Sequence, residues 1–348
     1  MTRLRKLASI QRVISVEPIP GADRIEQIQV LGWRLVTRKG DFKPGDLCVF
    51  FEIDSVLPER PEFEFLRERK FRIKTMKMRG AISQGLALPI KVTALGNTLA
   101  SYSDEELIGL SVTELLGVMK YEPPSSASLG GLALGAFPAH LIPKTDEERL
   151  QSFPGVLDEI ADTTVYTTVK VDGTSATYYL ASSHFGVCSR NLELKPDENN
   201  ILWQLAEKYE IEETLRALAE KGMHFAIQGE ACGPKIAGNR MQLKEHRLFV
   251  FNLYDIDAQE YVVPSFVGMQ SLSLFGKLEG VPLIEFLIPE KQPKTVDEWL
   301  AYAERDDDQG QPIEGVVVRP MGEAWSPTLQ GRLSFKVVSN RYLLAHGD

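Results

Sequence analysis

The chain is poor in the residues that build covalent or metal frameworks. Among its 348 residues are three cysteines and five histidines. Cys48, Cys188 and Cys232 lie far apart and form no C-x-x-C pair. A disulfide framework and a zinc site are therefore not expected, and the three read as reduced core thiols of a cytosolic protein. His140, His184, His224, His246 and His346 show no H-E-x-x-H or similar clustering, which argues against a histidine-based metal centre. No apolar run approaches the roughly 20 residues that span a bilayer. The start, MTRLRKLASIQRV, is basic but lacks the apolar stretch of a signal peptide. No internal repeat is visible. With 43% hydrophobic and 25% charged residues, both near average, neither disorder nor fibre is indicated. What remains is a globular chain long enough for two domains.

The net charge of −9 speaks at first sight against a nucleic-acid partner. Its distribution says more. Residues 1–80 carry 17 Lys/Arg against 11 Asp/Glu, whereas residues 81–348 carry 22 against 37. The positive excess is concentrated in RERKFRIKTMKMRG (67–80), with seven basic residues. Such a cluster is either a solvated strand pair or a patch for a polyanion.

The first hundred residues read as short strands broken by turn chemistry: Gln11–Val16, PIPGAD, Ile25–Leu31, Trp33–Thr37, then KPGD before LCVFFEI. In that last run Leu47, Val49, Phe51 and Ile53 alternate with Cys48, Phe50 and Glu52. Several strands at this spacing suggest a small barrel or sandwich. Ser103 and Glu106 stand in capping-box spacing before a short helix. YEPPSSASLGGLALGAFP (121–138) is rich in Pro, Ser and Gly and reads as a linker between residues 1–120 and 139–348. The second part has helical patterns at 202–209, up to Gly222, and from Thr295. Strand-like runs lie at 164–171, 175–180, 184–189, 224–230, 247–256, 313–318 and 332–338. Strands outnumber helices, so an α+β domain on antiparallel sheet is expected.

Several of these strands carry an isolated charge in an apolar run. In TTVKVDGTSATYYL (167–180), alternation puts Lys170 and Asp172 on one face, opposite Val169 and Val171. A charged pair on a partly buried strand is costly unless something pairs with it. HFAIQGEACGP carries Glu230, IEGVVVRP opens on Glu314, and RLSFKVVS holds Lys336. Each alone is more often a satisfied edge charge. Four together suggest one shared cleft, and LFVFNLYDI (248–256) adds Phe249, Phe251 and Tyr254, usually core but able to offer a ring to a base.

The ordered series K-x-D-G, a G-E strand, F-N-L-Y-D-I, E-G-V-V-V-R and a strand lysine resembles the motifs of covalent nucleotidyltransferases, the polynucleotide ligases and mRNA capping enzymes. Ser189-Arg190 matches the element between the first two. DNA ligases and capping enzymes carry an OB module after the last lysine strand, and the chain stops twelve residues after Lys336. With its β-rich part in front, it resembles the RNA ligases of the Deinococcus and Naegleria type over nearly its whole length. MRGAISQGLALP (78–89) and IPKTDEERLQ (142–151) look like segments of that family.

The resemblance implies an N-terminal OB-like barrel (1–120), a linker (121–138) and an antiparallel-sheet nucleotidyltransferase domain (139–348). It implies an ATP-dependent RNA ligase that joins a 3′-hydroxyl RNA end to a 5′-phosphate through lysyl-AMP. Lys170 is then the nucleophile. Asp172 and Glu314 face a hydrated Mg²⁺ or Mn²⁺, Glu230 the ribose and Phe251 the adenine. Arg190 meets the ribose or acceptor end, and Lys336 the α-phosphate. Arg72, Lys74, Lys77 and Arg79 would grip a nicked RNA-containing duplex, in a cytoplasmic monomer. Many members have K-x-K in the last strand where this chain has Ser334-Phe335-Lys336, so a second phosphate contact is expected from Arg332 or Arg341, or is missing. A DNA ligase, a GTP-using capping enzyme and an inactive nucleic-acid-binding module are the rival readings.

Overall fold

The structure, a computed structural model, describes residues 5–93, 95, 98–99, 101–121, 132–262, 277–307 and 309–346. The N-terminal part is a curled antiparallel sheet in the order Trp33–Arg38, Ile25–Val30, Ala8–Pro18, Leu47–Phe51, Leu86–Pro89. Its longest strand pairs Leu47–Phe51 through its first half and Ile25–Val30 through its second. A bulge between Val13 and Ser15 bends it in between. The expected alternation in LCVFFEI is replaced by burial on both faces, because each face is covered. Phe50 meets Trp33 at 6.4 Å between ring centroids, and Phe51 meets Phe63 edge-on at 5.5 Å. This is the OB-type barrel that the strand spacing suggests. A hairpin, Thr75–Met78 and Ala81–Gln84, is fastened to its edge where the Val36 N–H donates to Ser83 Oγ at 2.9 Å.

The second part is built on two sheets. One runs Ala133–Ala136, Leu192–Leu194, His184–Cys188, Thr174–Ala181, Phe225–Cys232, Arg247–Asp255, Glu260–Tyr261. The other runs Glu148–Arg149, Phe335–Val338, Gly315–Pro320, Val165–Val169, Leu283–Leu287. The helices Ile201–Lys208 and Ile211–Ala219 cover the first sheet with Leu202, Leu205 and Leu215 against Tyr178, Val187 and Ile227. The helix Val296–Ala303 starts at Thr295, whose Oγ1 accepts from the Glu298 N–H at 3.2 Å, and buries Trp299 on Phe335 of the second sheet. Of the expected linker, residues 122–131 lie outside the described residues, and Ala133–Ala136 forms the edge strand of the first sheet.

The two parts are packed into one another. Val338 and Leu343 belong to the apolar core of the N-terminal barrel. Ser152 Oγ donates to Glu52 at 2.7 Å, and the Gly32 N–H donates to the Gln151 carbonyl at 2.8 Å. Among the described residues no helix is long and apolar enough to cross a membrane.

Candidate active site

The K-x-D-G motif lies where the chain passes from one sheet to the other. The strand expected over 164–171 ends at Val169 in the second sheet, and the next, Thr174–Ala181, belongs to the first. Lys170 is anchored at this crossing by its N–H, which donates to the Gly315 carbonyl at 2.9 Å. Val171 is buried against Cys232 and Phe249. The crossing passes so close to its neighbour that a Cβ on Gly173 would lie 2.3 Å from the Ala231 carbonyl oxygen. Glycine is required there for space. Gly315, at φ +155°, is held by the same logic: its Cβ would meet the Val337 carbonyl oxygen at 2.2 Å.

Around the Lys170 amine the expected carboxylates converge. Glu314 Oε2 lies 2.6 Å from Nζ. Apart from that ammonium, this buried oxygen has no hydrogen-bond partner. Burial pulls the Lys170 pKa down, but Glu314, Glu230 and Asp172 outweigh it and hold the pKa above that of an ordinary lysine. Burial, with Glu314 and Asp172 adding to it against the pull of Lys170, pushes Glu230 up to about 8. Asp172 Oδ2 accepts from Arg240 Nη1 and from the Tyr342 hydroxyl, both at 2.5 Å.

Beyond Lys170 stands a second group of charges. Lys336 is drawn down to about 8 by burial and by the cations Arg149, Lys170 and Arg5, against the opposing pull of Asp146. Asp146 meets Arg190 at 2.6 Å, Lys120 at 3.2 Å and Lys336 at 3.4 Å. Against the cost of burial, these cations hold its carboxyl far below the usual range. The barrel reaches the same place: Asp54 meets Arg149 at 3.3 Å and Arg5 at 3.6 Å. Arg149 is the register partner of Lys336 in the parallel strand pair. Phe251 sits at a bulge, where Gln228 pairs Asn252 and Gly229 pairs Val250, so it has no partner opposite. A bulge re-aims a side chain and suits a residue taken out of the sheet's own packing.

The site between the two sheets thus sets a half-buried lysine beside carboxylates and a second lysine. A family model described as RNA ligase matches residues 163–338, and one described as an OB-fold domain matches residues 7–90. Among solved structures, a variant of Naegleria gruberi RNA ligase with ATP and manganese is similar at a TM-score of 0.85 and 36% identity, over 97% of this chain and 98% of that one. The same enzyme with pyrophosphate is similar at 0.84 and 35%, over 98% of each chain. The chain belongs to the RNA ligase family. No curated protein matches it.

This RNA ligase departs from the sequence expectations in three places. Arg72 is not on the basic surface: it is buried, its guanidinium 3.4 Å from the Tyr121 ring centroid and 3.9 Å from Asp54. Apolar neighbours on either side, Phe71 and Ile73, carry it inward with them. Lys74, Lys77 and Arg79 are exposed, Arg79 and Gly80 forming the left-handed turn of the hairpin at φ 50° and 88°. Secondly, neither proposed substitute for the missing lysine is free to act as one. Arg332 is held by Glu323, by Asn252 at 2.8 Å and over the Tyr261 ring, and Arg341 by Asp306 and Glu304. Ser334 itself is buried and accepts from Arg319 Nε at 2.9 Å, in a network that includes Glu147. Thirdly, Asp146, Arg149, Arg240 and Tyr342 were not singled out by the sequence. The first two fall inside the family-like segment 142–151. The last two have no local pattern that marks them.

Proposed function

We propose that this ligase joins a 3′-hydroxyl RNA end to a 5′-phosphate end at the expense of ATP, through AMP bound to Lys170. The observation that carries the reading is the placement of the Lys170 amine against Glu314, with Glu230, Asp172 and Lys336 within electrostatic reach. The amine attacks the α-phosphorus and pyrophosphate leaves. AMP then passes to the 5′-phosphate, the 3′-hydroxyl attacks, and AMP departs. The Naegleria ligase has been solved with ATP and with pyrophosphate, the nucleotide consumed and the group released in the first step, and with AMP, the group released in the last.

Lysine attacks only as the free amine, and its carboxylate neighbours oppose that form. The site fits a hydrated divalent cation, which keeps most of its waters and needs only one or two carboxylates. Glu314 Oε2 is a buried acceptor whose counter-charge is the Lys170 ammonium, and it is left without one once Lys170 loses its proton. Asp172 and Glu314 face this ion through its waters. Such an ion supplies the positive charge that disfavours the lysine ammonium and balances the phosphates. Lys336 faces the α-phosphate. Arg149, opposite Lys336 in the strand pair and with buried Nε and Nη1 that have no hydrogen-bond partner, supplies the second phosphate contact. Glu230 accepts from the ribose hydroxyls, and Phe251 stacks on adenine, worth about 1–3 kcal/mol. Arg190 turns to the ribose or acceptor end when nucleotide releases it from Asp146. Lys74, Lys77 and Arg79 grip the backbone of a nicked duplex, in a cytoplasmic monomer.

Incubation with α-labelled ATP is expected to label the protein and α-labelled GTP to leave it unlabelled. Lys170→Ala is expected to abolish the label. Label from GTP alone would make the chain a capping-type enzyme, and label retained in Lys170→Ala would overturn the nucleophile.

A further inference from the structure

The short helix Asn340–His346 follows directly on the strand that carries Lys336. It is held at its start by Glu304, whose Oε1 accepts from the Asn340 N–H at 2.7 Å and whose Oε2 accepts from Ser339 Oγ at 2.9 Å. The Ser339 N–H donates to the Glu314 carbonyl at 2.9 Å, which joins the helix to the carboxylate strand as well. Two consecutive residues of the helix then point to different tasks. Leu343 is buried in the apolar core of the N-terminal barrel. Tyr342 is buried, its ring 4.7 Å from His346, and its hydroxyl donates to Asp172 Oδ2 at 2.5 Å. Arg240 comes from a loop on the other side. Its guanidinium meets the same Oδ2 at 2.5 Å, contacts the Tyr342 hydroxyl and lies 5.0 Å from the ring centroid.

Both donors approach one oxygen of Asp172, which fixes the plane of the carboxylate and leaves Oδ1 as the edge not committed to them. Two converging donors, one of them charged, restrain a carboxylate far better than solvent does. We propose that Tyr342 and Arg240 are positioning residues of this ligase, which hold Asp172 in the orientation that receives the hydrated divalent cation. The inference rests on Asp172 facing that cation. Groups behind a metal-facing carboxylate set its orientation, and their loss costs roughly 10- to 100-fold in metal affinity.

The test compares wild type, Tyr342→Phe, Arg240→Ala and Leu344→Ala. The amount of Mn²⁺ that half-saturates lysyl-AMP formation at saturating ATP is measured, and Mn²⁺ binding to the protein is followed by the loss of its free-ion EPR signal. Tyr342→Phe keeps the ring packing, so its thermal midpoint stays near that of wild type. Its half-saturating Mn²⁺ is expected to rise roughly 10- to 100-fold, with the rate recovering at excess Mn²⁺ and the KM for ATP unchanged there. Arg240→Ala is expected to show the same pattern, and Leu344→Ala, at an exposed position of the same helix, to behave as wild type. Unchanged or tighter Mn²⁺ dependence in Tyr342→Phe overturns the positioning role. Absence of lysyl-AMP in the wild type would instead overturn the ligase reading beneath it, so the two failures are told apart.

Discussion

At Lys336 two tendencies compete within one side chain. Burial among Arg149, Lys170 and Arg5 lowers its pKa to about 8, while Asp146 works in the other direction. Asp146 is therefore the group that keeps Lys336 a cation near neutral pH until a phosphate can take over that task. Its removal in Asp146→Asn takes away the only anion among the strongest influences on Lys336, so the pKa must fall further below 8. Acetylation reads this directly, since only the neutral amine reacts. Followed by mass spectrometry in the nucleotide-free protein, Lys336 acetylation is expected to rise with pH through a midpoint of about 8 in wild type. In Asp146→Asn the midpoint is expected at lower pH, and a midpoint unchanged or higher would remove Asp146 from this role. Residues of this kind mark the limit of what the sequence discloses. Lys170, Glu230, Glu314 and Lys336 were legible because each is a lone charge in an apolar strand, a pattern that needs a partner. Asp146 and Tyr342 sit in segments where a charge or a hydroxyl raises no local conflict, and only the fold brings them to the cleft.

The strand runs were legible from their alternation, and so were the caps at Ser103 and Thr295. The ends of the runs were less so, and the most informative of these ends is at Val169. Side-chain alternation continues through Val171, which is buried, although the backbone has left the second sheet for the first. Pattern reports burial of the side chain and is blind to which strand the backbone bonds. The second ladder ends at the bond from the Lys170 N–H to Gly315, the crossing carries Asp172 out of both ladders, and Gly173 is what lets it pass Ala231. Gly173→Ala would set a methyl 2.3 Å from the Ala231 carbonyl and 2.6 Å from Cys232 Sγ. Neither is the yielding end of a long side chain, so the crossing itself must move. The expected result is a loss of about 1–3 kcal/mol of stability in denaturant titration, with lysyl-AMP formation reduced far more than that loss explains, because the nucleophile is displaced. Full adenylylation in Gly173→Ala would show that the crossing has slack.

The two halves of the molecule were legible as a barrel and a mixed α and β domain, but their seam was not, since no sequence pattern reports contact between distant apolar residues. Seen alone, residues 1–120 suggest a module that could be removed to leave adenylylation intact. The packing argues otherwise. Removal would bare Val338 and Leu343, strip Ser152 of Glu52 and leave buried Arg149 without Asp54. An uncompensated buried cation beside Lys336 is costly in itself. The fragment 121–348 is therefore expected to lose lysyl-AMP formation along with sealing, and to melt at lower temperature than the full chain. Nucleic-acid grip has to be tested on the surface instead. Lys74, Lys77 and Arg79 are exposed on or beside the hairpin, and Arg79 stands at its tip. If each meets a phosphate, replacing all three by alanine reduces the dependence of log affinity on log salt by about 0.7–0.9 per contact. Weaker binding of a nicked RNA duplex with that smaller slope, alongside wild-type lysyl-AMP formation, is the expected outcome. An unchanged salt slope would place the duplex on another face of the ligase.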